Sequence, residues 1–322
     1  MAVEQASNGT MFSRRQVEII SGLVAGFSTT IVMHPLDLIK IRLQLSPEIN
    51  TKRFKSLIDV ISKINTSATT DFHQYKQAHH SSGIKSAILG RYKLPHTVLQ
   101  YYRGIGPNIG GNIVGWSLYF TLYAEFKRLI DFSSPTANYF TSSTAAGVTT
   151  GLLTNPIWVL KTRILGTTRS DTGAYRSVTD GVKNMLQKEG IRSFWKGTIP
   201  GLFSVFQASL QFTFYDHFKQ YQLSKKSSTT DTLSTGEYIA SSAASKILST
   251  IIAYPSQVIK SRLQNSTTEY KSVISTCKDV WHNEGHWRGF YKGVGTNMLR
   301  VVPATCITFV SYETAKDILS HM

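Results

Sequence analysis

Hydrophobic positions in this chain gather into six long runs separated by polar stretches. Ser133–Leu160 runs for 28 residues without a charge, Gly104–Ala124 for 21 and Gly197–Tyr215 for 19. Ile239–Ile259 is interrupted only by Lys246, Gly293–Tyr312 only by Arg300, and Ile19–Leu36 carries only His34. Each run approaches the ~20 apolar residues that a helix needs to cross a bilayer. The pattern predicts an all-α membrane protein with six transmembrane helices. Between the runs lie short amphipathic stretches, as in Val178–Leu186 and Val273–Val280, which read as helices lying flat at the membrane surface.

Three phrases recur in the same order. PLDLIKIRLQ (Pro35–Gln44), PIWVLKTRIL (Pro156–Leu165) and PSQVIKSRLQ (Pro255–Gln264) are spaced 121 and 99 residues apart. YRG (Tyr102–Gly104), WKG (Trp195–Gly197) and YKG (Tyr291–Gly293) keep step, as do YAEFK (Tyr123–Lys127), YDHFK (Tyr215–Lys219) and YETAK (Tyr312–Lys316). Three ordered signals, each repeated, mean one structural unit used in tandem. The expected units are Ser13–Ser134, Pro135–Lys226 and Ser227–Met322, with two spans each.

Composition changes the picture in two ways. The mean hydropathy of −0.11 is low for six spans. The runs are rich in Ser, Thr, Gly, Asn and Gln, which suits helix contacts and a wet interior better than a greasy centre. The 35 basic against 19 acidic side chains admit nucleic-acid binding, a solvated surface, or placement beside anionic lipid and an anionic substrate. The basic residues sit at helix ends instead of forming one stripe, which argues against nucleic acid. Lipid headgroups and an anionic substrate account for the overall sign, with basic loops such as Lys52–Lys55 and Arg91–Lys93 near the headgroups.

Other classes find little support. Cys277 and Cys306 have no metal or disulfide spacing. The polar stretch Thr66–Gln100, with His73, His79 and His80, lacks paired ligand spacing and reads as a flexible loop without a metal. The N-terminal stretch has neither a signal-peptide core nor a transit-peptide composition, so any organelle address is expected within the helices. No nucleophile, base and oxyanion donors cluster, so the chain is not read as an enzyme.

The phrases have physical jobs. A proline inside a helix removes a backbone hydrogen bond and bends the rod. Pro35, Pro156 and Pro255 are each expected to draw the far half of a helix toward the bundle axis, bringing Lys40, Lys161 and Lys260 together as a gate. Asp37 shares nearly the same face as Lys40. Small residues 13 and 9 positions before each proline (Gly22 and Gly26, Ser143 and Gly147) are expected to let helices approach closely. In the third repeat those offsets give Ser242 and Lys246. A lysine at mid-depth must face water, an anion or an ion-pair partner, which leaves substrate contact and a structural ion pair both open.

These motifs resemble the signature of the mitochondrial carrier family, Pro-x-Asp/Glu-x-x-Lys/Arg-x-Lys/Arg followed by an acidic-Gly and an aromatic-basic-Gly phrase. Glu189–Gly190 with Trp195–Gly197 matches the second part fully, Glu284–Gly285 with Tyr291–Gly293 matches with one extra residue, and the first repeat keeps only Tyr102–Gly104. The resemblance implies the mitochondrial carrier fold, with short matrix helices, in the mitochondrial inner membrane, working by alternating access between two gates. It further implies a monomer with bound cardiolipin and no cofactor. In the matrix gate, Asp37 would pair with Lys161, Trp158 would face Lys260 and Gln257 would face Lys40, with Gln44 and Gln264 as braces. In the cytosolic gate, Asp216 would pair with Lys316 and Glu313 with Lys127. Ala124 would leave Lys219 unpartnered, and Tyr123, Tyr215 and Tyr312 would be braces.

The family's contact points, counted 13 and 12 residues back from the acidic position of each cytosolic motif, fall on Gly111–Asn112, Phe203–Ser204 and Arg300–Val301. Arg300 suits a phosphate or carboxylate. Trp116, one turn beyond Asn112, suits stacking on a planar ring or packing at the interface. Gln207 and Gln211 suit polar edges. Together with Lys246 these residues point to a large, anionic, heteroaromatic substrate. The Pro-Ile-Trp form of PIWVLKTR resembles the branch that carries pyrimidine nucleotides, NAD, folate and FAD. FAD is the cargo that the resemblance implies first, with folate, NAD or a pyrimidine nucleotide as the alternative. A carrier-fold regulator that no longer transports is the alternative of another class.

Overall fold

A computed structural model describes residues 13–46, 53–78, 94–130, 135–167, 174–175, 177–225, 233–265 and 272–320. Six long helices dominate: α1 (Arg14–Leu45), α4 (Ile105–Leu129), α5 (Pro135–Gly166), α7 (Thr198–Lys225), α8 (Thr235–Asn265) and α10 (Val294–Ser320). Others lie between them: α2 (Arg53–Ala78), 26 residues long, and the shorter α3 (Leu94–Tyr101), α6 (Val178–Glu189) and α9 (Val273–Asn283). Single 3₁₀ turns, Ile191–Trp195 and His286–Tyr291, precede α7 and α10. No strand occurs among the described residues.

Local chemistry sets several ends. Ser13 and Gln16 form a reciprocal capping box at the start of α1, and Ser272 with Ser275 does the same for α9. The glycines of the three aromatic-basic-Gly phrases, Gly104, Gly197 and Gly293, all have φ between 76° and 79°, a left-handed turn that only glycine enters freely. Close packing adds a second demand: a Cβ on Gly197 would stand 3.0 Å from the Lys260 carbonyl oxygen. Each repeated glycine thus turns the chain into the following long helix while pressed against a neighbour.

The long helices close a ring, each touching the next in the order α1, α4, α5, α7, α8, α10 and back to α1. In addition α1, α5 and α8, the three that hold Pro35, Pro156 and Pro255, touch one another. One end of the ring is therefore closed by the proline-bearing helices.

Two expectations are corrected. The close-packed small residues sit one position before those expected: Ser21 and Ala25, Ser142 and Ala146, and Ser241 and Ser245 are buried. Cβ atoms on Gly22 and Gly26 would meet nothing within 4 Å. One residue turns a helix by ~100°, so neighbouring stripes with the same spacing face different surroundings. The stretch 66–100 is not one loop, because α2 runs to Ala78 and α3 begins at Leu94. Val60, Ile64 and Ala68 of α2 are buried, the first two against Leu38 and Leu43, which gives the helix a reason to continue. By length and mean hydropathy, Gln16–Leu45 and His286–Ser320 stand out among the described helices as the most apolar, and the hydroxyl and amide content of the other long helices lowers their mean. His79, His80, the basic stretch 91–93 and the expected joins between repeats lie outside the described residues.

Candidate functional site

Inside the ring, above its closed end, lies a cavity of about 310 Å³. Its wall carries Lys40, Lys161, Lys260 and Arg300 against one carboxylate, Asp37. Asn112, Ser204 and Gln207 also line it, as do Trp158, Gln257, Gln44 and Gln264. Its chemistry is cationic with amide and hydroxyl edges, suited to a polyanion carrying hydrogen-bonding groups.

The floor is tied by side chains from facing helices. Lys40 Nζ donates to Gln257 Oε1 at 3.1 Å, the contact expected from the sequence. Gln257 Nε2 in turn donates to Gln207 Oε1 at 2.9 Å. Gln44 is buried, donates to the Tyr254 hydroxyl at 3.1 Å and accepts from Ser261 at 2.8 Å, joining α1 to α8. Gln264 accepts from Thr162 at 2.8 Å, joining α8 to α5.

Two expected floor contacts are corrected. Asp37 Oδ1 lies 2.9 Å from Arg300 Nε on α10, and no ion pair joins Asp37 to Lys161 among the described residues. The two cations compete for one carboxylate, and Arg300 reaches it. No cation–π contact joins Trp158 to Lys260 among the described residues. Lys161, three residues along on the same helix, places its ammonium 5.1 Å from the Trp158 ring centroid. The far end of the ring has room because Gly111 carries no side chain: a Cβ there would be 3.3 Å from Trp158 Cη2.

Gly111 thus shapes the wall by packing on α5. Trp116, Phe203 and Lys246 lie outside the lining of the floor cavity. By helical rotation Trp116, Tyr119 and Tyr123 share the face of Asn112, rising from it toward the opposite end. Trp116 is 6.1 Å from Tyr119, edge to face, and Tyr119 stacks on Tyr123 at 6.2 Å. Tyr119 was not singled out in the sequence, although its spacing of three from Trp116 and four from Tyr123 is the signal for a shared face. Lys246 donates to Gln211 at 2.9 Å, and no carboxylate pairs with it among the described residues, so the structural ion pair is not formed. Phe203 is 54% exposed.

The opposite end is open. Among the described residues no ion pair joins Asp216 to Lys316 or Glu313 to Lys127, and all four are exposed. Lys127 instead lies 4.7 Å from the Tyr139 ring centroid, and Lys316 5.8 Å from that of Tyr312. The expected pairs are absent because α4, α7 and α10, which carry these residues, are separated around the ring by α5, α8 and α1. Lys219 and Tyr215 stand on the same splayed end of α7.

Beneath the floor are ion pairs that the sequence motifs did not name. Glu189 takes Arg163 and, at 2.9 Å, Lys196. Glu284 takes Arg262 and, at 2.7 Å, Lys292. In the second and third repeats these link the second basic residue of the proline phrase to the acidic-Gly and aromatic-basic-Gly phrases, so the three motifs meet at one place in each. For Glu189, burial pulls the carboxyl up, but hydrogen bonds and charge from Arg163 and Lys196 outweigh it and hold it below the usual carboxylate range.

Comparison with known proteins agrees with this arrangement. Residues 15–71, 132–226 and 231–322 match the family model for mitochondrial carrier proteins. The chain is 36% identical to a mitochondrial FAD carrier protein of Saccharomyces cerevisiae, over 94% of this chain and 96% of that one. It is 31% identical to the chloroplastic folate transporter 1 of Arabidopsis thaliana, over 94% of each. It is 32% identical to the mitochondrial nicotinamide adenine dinucleotide transporter 2 of Arabidopsis thaliana, over 66% of this chain and 61% of that one.

Proposed function

The chain belongs to the mitochondrial carrier family of transporters, and on that premise we propose that it moves FAD across the mitochondrial inner membrane by alternating access. One observation carries the choice of cargo: four cations around one carboxylate at the cavity floor, below an aromatic face on α4. FAD has a pyrophosphate for the first and flat ring systems for the second. The relative named for FAD supports the same cargo, and those named for folate and NAD mark the anionic, ring-bearing alternatives.

In this reading the three repeats, 13–134, 135–226 and 227–322, supply two membrane spans each. Large apolar side chains exposed on all six long helices support it: Leu23, Phe120, Phe140, Phe212, Ile252 and Val310 are each at least half exposed. Such a belt is costly in water and ordinary in lipid. The carrier acts as a monomer among cardiolipin-rich lipids, with no cofactor of its own. The closed end is the matrix gate and the splayed end the cytosolic gate, so this state awaits cargo from the cytosol. Asn112, Trp116, Ser204, Gln207, Lys246 and Arg300 contact the cargo, with Gly111 and Phe203 shaping its walls.

Uptake by the purified protein in liposomes, comparing FAD, FMN, folate, NAD and nucleotides, tests the reading. Preference for FAD is expected. Preference for folate, NAD or a pyrimidine nucleotide would reassign the cargo, and no uptake of any of them would favour a regulator that has lost transport.

A further inference from the structure

Among the described residues Asp37 is the sole carboxylate lining the cavity, and it is spent on Arg300 at 2.9 Å. The pair is only partly shielded, with 12% of the Asp37 side chain and 34% of the Arg300 side chain exposed. The contact is close without being well aligned, since Arg300 Nε has no hydrogen-bond partner of good geometry. A guanidinium binds a phosphate through two parallel charge-assisted bonds, so a phosphate would fit Arg300 better than this carboxylate does. A phosphate bound side-on through Nε and one Nη takes the nitrogen that Asp37 now contacts. Lys40 and Lys161 stand within electrostatic reach of both Asp37 and Arg300, so an incoming phosphate would also meet their charge.

On the reading that this cavity receives the cargo, we propose that in the empty carrier Asp37 occupies the place of a substrate phosphate on Arg300, and that the phosphate displaces it. Asp37 is then a specificity-determining residue. It is tethered beside Arg300, so it competes at a high effective concentration. A weak or singly contacting acceptor does not dislodge it, whereas a phosphate that also engages Lys40 and Lys161 does. Displacement has a second consequence. The Asp37–Arg300 pair ties α1 to α10 at the floor, so loading removes one of the links that cross the closed end.

The test uses the full-length protein in detergent, with FAD affinity read by flavin fluorescence and protection by inorganic pyrophosphate read by thermal unfolding. Asp37→Asn is expected to bind FAD about three- to tenfold more tightly, the scale of a partly exposed ion pair. Asp37→Glu keeps the competitor and is expected to stay near wild type. In an Arg300→Ala background Asp37→Asn is expected to add nothing, whereas a general gain from removing negative charge would persist there and overturn displacement at Arg300. Should Asp37→Asn be recovered unfolded, Asp37→Ser takes its place. Unchanged or weaker binding of both probes in the Asp37 variant overturns the inference, as does failure of both probes to bind either protein. A gain with pyrophosphate alone, without FAD binding, keeps the displacement and removes FAD as cargo.

Discussion

The Nε of Arg262 on α8 donates to the main-chain carbonyl of Gln44, in the last turn of α1, over 2.9 Å. Two equivalent bonds complete a ring: Arg42 Nε to the Leu165 carbonyl at 3.0 Å and Arg163 Nε to the Gln264 carbonyl at 2.9 Å. Each arginine is the second basic residue of its proline phrase, and each satisfies a carbonyl that the end of the next helix leaves without an intrahelical partner. A cation there also faces the negative end of that helix. The closed end is thus held by three arginines beneath the lysines, and the lysines remain available to the cavity.

Arg262 serves two kinds of acceptor, the main-chain carbonyls of Gln44 and Ser46 and the buried carboxylate of Glu284. Arg262→Ala leaves that carboxylate with Lys292 alone and is expected to cost about 3–5 kcal/mol, the scale of breaking a buried pair. Arg262→Lys retains charge but not the fork that reaches both acceptors, and is expected to recover only part of the loss. Thermal unfolding in detergent measures both. A fall in stability for Arg262→Ala no larger than for a surface arginine such as Arg128 would remove Arg262 from this role.

Glu189 gives a pH signature. Its carboxyl is held below the usual range in the folded protein, so its stabilisation is complete above the unfolded value of ~4.3. It is lost as pH falls through the lower folded value. Glu189→Gln is therefore expected to melt below wild type at neutral pH and to decline less on acidification, so that the two curves converge. A constant gap between them down to the acid limit would contradict the assignment.

How far the sequence reached can be judged residue by residue. The six runs, the prolines inside α1, α5 and α8, and most of the cavity floor follow from patterns repeated three times. The link between two of those patterns does not. The residue before each proline is His34, Asn155 or Tyr254, which share no chemistry that a motif could display. Yet His34 Nε2 meets the Arg103 carbonyl at 2.9 Å, Asn155 donates to the Phe194 carbonyl at 2.8 Å, and the Tyr254 hydroxyl donates to the Lys292 carbonyl at 2.9 Å. A main-chain acceptor takes any donor of the right reach, so an imidazole, an amide and a phenol serve alike. Asp37 was illegible for another reason. Its choice between Lys161 and Arg300 depends on how far α10 leans over the floor, which only the packed ring decides.

Two cations, one on the cavity floor and one outside its lining, are predicted to carry transport. Arg300 lines the floor, and Lys246 projects from α8 held by Gln211 at 2.9 Å, without a carboxylate partner among the described residues. Arg300→Ala and Lys246→Ala are each expected to abolish most FAD uptake in liposomes while leaving the unfolding temperature near wild type. Near-normal uptake in either variant would remove that residue from the cargo site.

The aromatic face of α4 has its own test. A stacked ring contributes ~0.5–1.5 kcal/mol beyond its buried area, so Trp116→Ala is expected to raise KM for FAD about two- to tenfold. Trp116→Phe is expected to restore most of it, and Tyr119→Ala to act in the same direction. Unchanged KM in Trp116→Ala would leave the packing of Trp116 on Phe120, 5.8 Å between ring centroids, as that residue's role.

The open end must close if cargo is to leave on the other side. Asp216 of α7 and Lys316 of α10 are both exposed and make no ion pair with each other, so the attraction between them is still unspent in this state. Closing that end would bring opposite charges together in a narrowing, drier space, where each gains more than it does in open water. Cysteines placed at 216 and 316, with Cys277 and Cys306 replaced by serine, report the approach, because a disulfide needs Cα atoms within ~7 Å. In liposomes under a mild oxidant, little cross-link is expected without cargo and several-fold more during FAD uptake, with transport arrested once the bond forms. Cross-linking that is equally fast without FAD would mean that the end closes independently of cargo. No cross-linking during active uptake would mean that these two helices do not meet at that end.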